Sequence, residues 1–327
     1  MFFSSISIII PIYNTELYIE RCAHSLFKQT FQDIEYIFVN DCSTDSTVSK
    51  LLDIIDLYEY RRSKIKIVNL SQNRGAAYAR YIGLQNATGE YVIHCDSDDW
   101  FVDNGIEKLY KKAKSESCDI VMCDWFEGDG IRTRVCKQKY DVDKNVFLSN
   151  IIKRSVSASL CNKLIKRSLY ITNGIVHPTY TMMEDFALFL QVVYFSDKIC
   201  YLEEALYYYY DNFNSVCKKQ TEQAMLNRCL QAEANVRLVI DFLDKQFLLA
   251  KYRNEIVWLK YYVRVFIWPL VLSDYRRYYI KWINIFPEIN KRFIFTKGIS
   301  FRYKLIFLLT CLGIYPWLLN IKKRIKK

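Results

Sequence analysis

Five short apolar runs, residues 6–12, 34–39, 65–68, 91–94 and 120–122, alternate with stretches of helical spacing over the first 117 residues. In the first such stretch Tyr18, Cys22 and Leu26 recur at the spacing of one helix face. Repeated strand–helix–strand units imply right-handed crossovers and a mainly parallel sheet. Strands of such a sheet are covered on both faces, so they read as near-continuous apolar runs, as ISIIIPI and YVIH do. The expected fold class is α/β, a mainly parallel, Rossmann-like sheet flanked by helices.

Open α/β sheets bind ligands beyond the carboxyl ends of their strands. The residues placed there are strongly polar: Tyr13, Asn14 and Glu16 after the first run, Asn40, Asp41 and Asp45 after the second, Asn73 and Arg74 after the third. The fourth run leads into HCDSDDW, with Asp96, Asp98 and Asp99 in four positions. Clustered carboxylates repel one another unless a cation or hydrogen-bond donors hold them, and a hard divalent ion, Mn²⁺ or Mg²⁺, bridging to a diphosphate meets that need. The D-x-D spacing is expected to aim Asp96 and Asp98 the same way. A solvated acidic turn is the plainer alternative for the tripeptide taken alone.

With 327 residues, 51% of them apolar, the chain can bury a large core. Its net charge of +11 points to an anionic partner, whether a phosphate-bearing ligand, nucleic acid or an acidic membrane. The eleven cysteines are odd in number and contain no C-x-x-C pair, which argues against a disulfide framework and a structural zinc site and for a reducing compartment. His24, His94 and His177 lack metal-ligand spacing and read as structural. The start, MFFSSISIIIPIY, has no basic head and its apolar run is cut by Pro11, so a strand is expected there rather than a secretory signal.

Five segments occur in an order that resembles the family 2 glycosyltransferases: SIIIPIYNTELYIERCAHSLFKQT, VNDCSTDST, NRGAAYARYIGLQNATGEYVIHCDSDDW, CNKLIKRSL and EDFALF. Together they cover about residues 4–215, and the resemblance implies the GT-A nucleotide-sugar-binding fold. By matching motif, Pro11, Ile12, Tyr13 and Asp41 would meet the nucleotide base, with Asp41 accepting from a uracil N–H. Glu16, Asn73 and Arg80 would lie on the same donor side, and Asp96 with Ser97 near the ribose. Asp98 resembles the family's metal ligand, with Asp99 and Trp100 supporting the site or shaping its acceptor side. Of the pair Glu184-Asp185, the family's aspartate is the usual base, although the sequence leaves open which carboxylate points into the crevice. The structural alternatives are a helix N-cap for Glu16, a solvated or paired helix cation for Arg80, and an N-terminal helix pair for Glu184-Asp185. Two departures stand out: Met183 replaces a common glycine, and Asp211-Asn212 follows the aromatic run 207–210 where a basic residue is frequent. Lys218 or Lys219 is the alternative source of a diphosphate contact.

The motifs stop near residue 215, so a catalytic domain is expected over 1–215, with a nucleotide-binding half (1–105) and an acceptor half (106–215). A helical extension is expected over 216–327. Its last part, 301–327, joins the apolar stretch 305–319, interrupted by Pro316, to Lys322, Lys323, Arg324, Lys326 and Lys327. About fifteen apolar-rich positions are short for a bilayer span of about 20 residues, so an interfacial helix is expected, with packing onto the catalytic domain as the alternative. The resemblance implies an inverting transferase at the cytoplasmic membrane face, with a UDP-sugar donor, a glycan or lipid-linked glycan acceptor and no nucleic-acid partner. A metal-dependent nucleotidyltransferase and a non-catalytic basic binding protein are the rival classes; the absence of a G-x-x-x-x-G-K loop weakens the first.

Overall fold

The computed structural model describes residues 4–212 and 218–318. The chain divides into two compact units, residues 1–151 with 156–213, and residues 152–155 with 214–327.

The first unit is built on one nine-stranded sheet in the order β3-β2-β1-β4-β8-β6-β9-β5, with β7 beside β6. The strands are β1 (Ile6–Ile12), β2 (Ile34–Asn40), β3 (Ile65–Asn69), β4 (Tyr91–His94), β5 (Trp100–Phe101), β6 (Ile120–Gly128), β7 (Thr133–Cys136), β8 (Lys163–Lys166) and β9 (Ile199–Tyr210). Its helices are α1 (Ile19–Phe27), α2 (Thr47–Leu57), α3 (Ala76–Asn86), α4 (Gly105–Ser115), α5 (Lys144–Ile152), α6 (Ser168–Thr172) and α7 (Glu184–Phe195). Strands β3, β2, β1 and β4 are parallel, joined by α1, α2 and α3. The order reverses beside β1, because β2 lies on one side of it and β4 on the other. That switch point opens a crevice beyond the carboxyl ends of β1 and β4.

The expectation of a mainly parallel sheet holds for this half and is corrected for the other. Strand β8 runs antiparallel to both β4 and β6, β7 to β6, and β5 to β9, while β6 and β9 are parallel. For β7 the physical reason is the connection: β6 and β7 are joined by a short turn containing Gly130 (φ +87°), too short for the crossover that a parallel pair requires.

Helix α1 buries Ile19, Cys22, Ala23, Leu26 and Phe27, a continuous 3.6-period stripe against the sheet. The carbonyls beyond its end are collected by a buried guanidinium: Arg61 donates to the oxygens of Phe27 (3.3 Å), Gln29 (2.7 Å), Phe31 (3.3 Å) and Gln32 (3.0 Å). A cation at a helix C-terminus satisfies carbonyls that have no intrahelical donor.

One cysteine pair corrects the sequence reading. Cys118 and Cys200, 82 residues apart, form a disulfide with a Cα–Cα distance of 6.0 Å, and the other eight described cysteines are free. The pair meets because β6 and β9 lie side by side with Ile120 opposite Ile199, an adjacency no spacing rule encodes.

The second unit is helical: α8 (Glu222–Lys245), α9 (Arg253–Val263), α10 (Trp268–Ser273), α11 (Tyr275–Asn284) and α12 (Phe301–Cys311). Its core gathers Trp282, Phe293, Phe307 and Tyr261 around buried Arg264, which donates to the Ile285 carbonyl (2.9 Å) and to Asn290 Oδ1 (2.6 Å). Residues Arg253–Ser273 are long and apolar enough to cross a bilayer, and half of the most apolar window is buried inside the fold.

The apolar stretch near the C-terminus is two short helical pieces. Helix α12 ends at Leu312 and Gly313 (φ +73°), and helix resumes over residues 314–318. Phe307 and Thr310 face the core of this unit, whereas Phe301, Leu305, Leu308 and Leu312 form a stripe between 40% and 77% exposed. Leu319 and the five tail cations lie outside the described residues.

Candidate active site

At the carboxyl end of β1, Pro11 is half-buried, Ile12 is buried and Tyr13 is exposed. The Ile12 carbonyl accepts from the Asp41 amide (2.9 Å), carrying the sheet one step beyond β2. The Asp41 carboxylate in turn accepts the amides of Arg74 (2.8 Å) and Gly75 (2.7 Å), which fixes the loop entering α3. Gly75 has φ +85°, and a Cβ there would lie 2.7 Å from the Thr181 hydroxyl, so the loop needs glycine for both conformation and approach. Asn73 stands exposed on the same loop. Glu16 does not cap the first helix: it accepts the Ser46 amide (3.0 Å) while its own amide donates to Asp45 (3.2 Å), tying this loop to the start of α2.

The aspartates after β4 are engaged by different partners. Asp99 is 1% exposed and accepts from the Tyr207 hydroxyl and the Tyr210 amide (2.7 Å), so it anchors β9. Burial, then the charges of Asp98 and Asp96, push its pKa well up. Asp98 is half-buried and accepts from Asn212 Nδ2 (2.9 Å), whose own Oδ1 takes the Tyr18 hydroxyl (3.1 Å). Burial and then the charge of Asp96 raise the pKa of Asp98. Arg21 donates to the Asp98 carbonyl oxygen (2.9 Å), with its guanidinium 3.8 Å above Trp100 and 4.4 Å from Tyr210. Ser97 is buried in the turn between these carboxylates.

The centre of the cluster is Arg80 on α3, 6% exposed. Its Nη2 pairs with Asp96 and its Nη1 with Glu184, and the same Nη1 lies 3.7 Å from Asp185 Oδ1. One guanidinium therefore joins the turn after β4 to the first residues of α7. Burial alone would lower the Arg80 pKa, but Asp96 and then Asp185 outweigh it and hold the cation charged. Burial raises the pKa of Asp185, Arg80 opposes that, and Asp96 adds to it. Glu184 is almost wholly buried, whereas the Asp185 side chain remains 29% exposed; Glu184 Oε2 and Asp185 Oδ1 make no hydrogen bond. Lys163, from the CNKLIKRSL segment, lies behind this cluster among the Ser159 carbonyl (2.6 Å), Asn162 Oδ1 (2.7 Å) and the Phe189 ring (4.7 Å), and burial pulls its pKa down to about 7.

The sequence model of the family described as Glycosyl transferase family 2 matches residues 7–189, more than half of the chain. The chain is a family 2 glycosyltransferase. Among its relatives are the putative glycosyltransferase EpsH of Bacillus subtilis (27% identical, 77% of this chain and 73% of that one) and glycosyltransferase GlyG of Streptococcus pneumoniae (29%, 66% and 73%). The poly(ribitol-phosphate) beta-glucosyltransferase of Bacillus spizizenii is 26% identical over 88% of this chain and 46% of its own length. Its fold is of the GT-A type. S. aureus TarS 1–349 in complex with UDP-GlcNAc superposes with a TM-score of 0.56 at 19% identity, covering 91% of this chain and 93% of that one. The mannosyltransferase PcManGT of Pyrobaculum calidifontis, in complex with GDP-Man and Mn²⁺, superposes at 0.55 with 14% identity over 96% and 88%.

Both departures from the family pattern have a physical reading. Met183 sits in the left-handed region (φ +67°, ψ +22°) immediately before α7, the conformation that glycine adopts without strain. Methionine there costs about 1–2 kcal/mol, partly offset by burial of its side chain. Asn212, where a basic residue is frequent, supplies a neutral donor to Asp98 instead of a cation. From the sequence that position reads only as a missing contact, and Arg21, Tyr18 and Lys163 have no role in the site. Arg21 and Tyr18 carry no local signal, because their partners lie 77 and 194 residues away.

Proposed function

We propose that this enzyme is an inverting, metal-dependent transferase that moves a hexose or N-acetylhexosamine from a UDP-sugar to a saccharide or lipid-linked saccharide during surface-polysaccharide assembly. The observation that carries the reading is Arg80 spanning Asp96 on the donor side and Glu184-Asp185 at the start of α7. The beta-glucosyltransferase relative supports a hexose and the UDP-GlcNAc held by TarS a UDP-linked donor, while the GDP-Man held by PcManGT makes a guanosine donor the alternative that the nucleotide screen separates.

Asp185 is assigned as the base. Glu184 is buried and bound by Arg80, while Asp185 keeps an exposed edge through which a hydroxyl proton can be taken. The acceptor oxygen attacks the anomeric carbon as the bond to the nucleotide diphosphate breaks on the opposite face, and the hydroxyl proton passes to Asp185. Pro11, Ile12, Tyr13 and Asp41 form the base-binding wall, with Glu16 and Asn73 shaping its loops and Asp96 and Ser97 bordering the ribose.

Mn²⁺ or Mg²⁺ fits Asp98: its half-buried carboxylate accepts from the neutral Asn212 amide, and Arg21 bonds the main-chain oxygen of Asp98 rather than the carboxylate. Bound there, the ion would neutralise the departing diphosphate. A screen of nucleotide sugars for UDP or GDP release, with glycolipid extract as acceptor, tests the class. Release of pyrophosphate instead would overturn it. Asp98→Asn should lower turnover by about 10² or more, because lost charge stabilisation of several kcal/mol corresponds to at least that factor. Mn²⁺ affinity followed by electron paramagnetic resonance should fall in parallel, and unchanged Mn²⁺ binding would refute the ligand role.

Peripheral attachment to the inner face of the cell membrane completes the proposal, supported by the exposed stripe on α12 and the basic residues that follow it in sequence. Because Phe307 of the same helix packs into the core, removing residues 301–327 would damage the fold, so substitutions are the sound test. Leu308→Glu with Leu312→Glu should weaken binding to phosphatidylglycerol vesicles by about tenfold or more, since each buried leucine contributes about 1.5–3 kcal/mol, and leave the melting temperature unchanged. Full vesicle binding by this variant would refute the attachment face.

A further inference from the structure

The helical unit holds a cleft of about 430 Å³, within the roughly 300–1,000 Å³ range of small-molecule sites, none of whose lining residues belongs to the site described above. One wall is Trp258 of α9, whose indole N–H donates to the Lys153 carbonyl (2.9 Å) and whose ring meets Tyr303 edge-on at 4.9 Å. Two cations line the cleft. Lys153 pairs with Glu255 (3.3 Å), whereas Lys297 has no ion pair among the described residues, so the lining carries one surplus positive charge. The remaining polar groups are small and uncommitted: among the described residues the Asn254 amide makes no side-chain hydrogen bond, and the Ser300 hydroxyl does not cap α12, which starts beside it.

We propose that this cleft is a second, non-catalytic binding site for a phosphate-bearing saccharide. The electron-rich faces of Trp258 and Tyr303 suit the polarised C–H edge of a pyranose, and their two-torsion side chains lose little entropy on binding. Asn254 and Ser300 match sugar hydroxyls, and Lys297, reinforced by the open first turn of α12, matches a phosphate. A neutral sugar would leave Lys297 uncompensated, and an apolar chain would leave the amide and hydroxyl unpaired.

Calorimetry on the full chain tests this with glucose 6-phosphate, whose phosphate is not anomeric and so does not imitate the donor's leaving group. The expected result is saturable binding, at least tenfold tighter than for glucose or for inorganic phosphate. Lys297→Glu should weaken it by about tenfold or more, and Asn254→Ala by a smaller factor, with the melting temperature and donor hydrolysis unchanged. Both side chains are exposed, so neither change threatens the fold. Equal binding of inorganic phosphate and glucose 6-phosphate would reduce the cleft to an anion site and overturn the proposal. So would undiminished binding by Lys297→Glu, or no binding of glucose 6-phosphate at all. Loss of phosphatidylglycerol vesicle binding in Lys297→Glu, without hexose phosphate binding in the parent, would reassign the cleft to a lipid headgroup.

Discussion

Asp185→Asn should lower sugar transfer by about 10²–10⁴-fold while leaving donor affinity within about twofold, because a base acts only when the acceptor hydroxyl loses its proton. The same change should raise the melting temperature at neutral pH. Burial makes the folded pKa of Asp185 higher than its unfolded value, so the ionised carboxylate is a cost to the fold above that range, and the neutral amide removes it. Activity, by contrast, needs the ionised form and is lost as pH falls through the raised pKa. The acid limb of the transfer profile should therefore lie above the ordinary aspartate range. Glu184→Gln serves as the control: Glu184 is taken up by Arg80, so its loss should act through the placement of Arg80 and not through proton transfer. Calorimetry with the UDP-sugar and transfer rates on the same preparations separate these outcomes. A wild-type transfer rate in Asp185→Asn, or a defect entirely in donor affinity, would overturn the assignment.

Arg80→Met is expected to be the most damaging single change to the fold around the site. It strands Asp96, Glu184 and Asp185 without their shared cation, and removing one partner of a buried ion pair typically costs about 3–5 kcal/mol. Without that positive charge the Asp185 pKa rises further, so the acid limb of whatever activity remains moves to higher pH. Arg80→Lys should recover part of the stability, since the charge is kept, but a single ammonium cannot bridge Asp96 and Glu184 as the planar fork does. Denaturant melts and pH–rate profiles across the three proteins read both effects. An acid limb at the same pH in Arg80→Met would show that Arg80 does not tune the base.

Much of the donor side was legible from residues 1–100. The parallel strands β1 to β4 follow from apolar runs whose burial on both faces is a local property of composition, and the polar residues after each run follow from the chain's own order. The D-x-D turn and the Glu184-Asp185 pair were likewise visible as residue types at motif spacing. What tertiary structure decided was the division of labour among them. Asp99 became an anchor for β9 because Tyr207 and the Tyr210 amide come within reach only when β5 pairs with β9. Arg80, placed by sequence on the nucleotide side, became the link between Asp96 and α7 because α3 and the start of α7 meet across 104 residues. Met183 was visible as an exception, but its left-handed backbone was not, since a conformation is imposed by the packing on both sides of a residue. The Cys118–Cys200 disulfide and the antiparallel half of the sheet have the same origin. Periodicity and motif order are written along the chain, so the sequence alone determined strands β1 to β4 and β6, the family and the list of candidate groups; the remaining strands, ion pairs and pKa shifts depend on contacts between residues far apart in the chain, which only the folded structure sets.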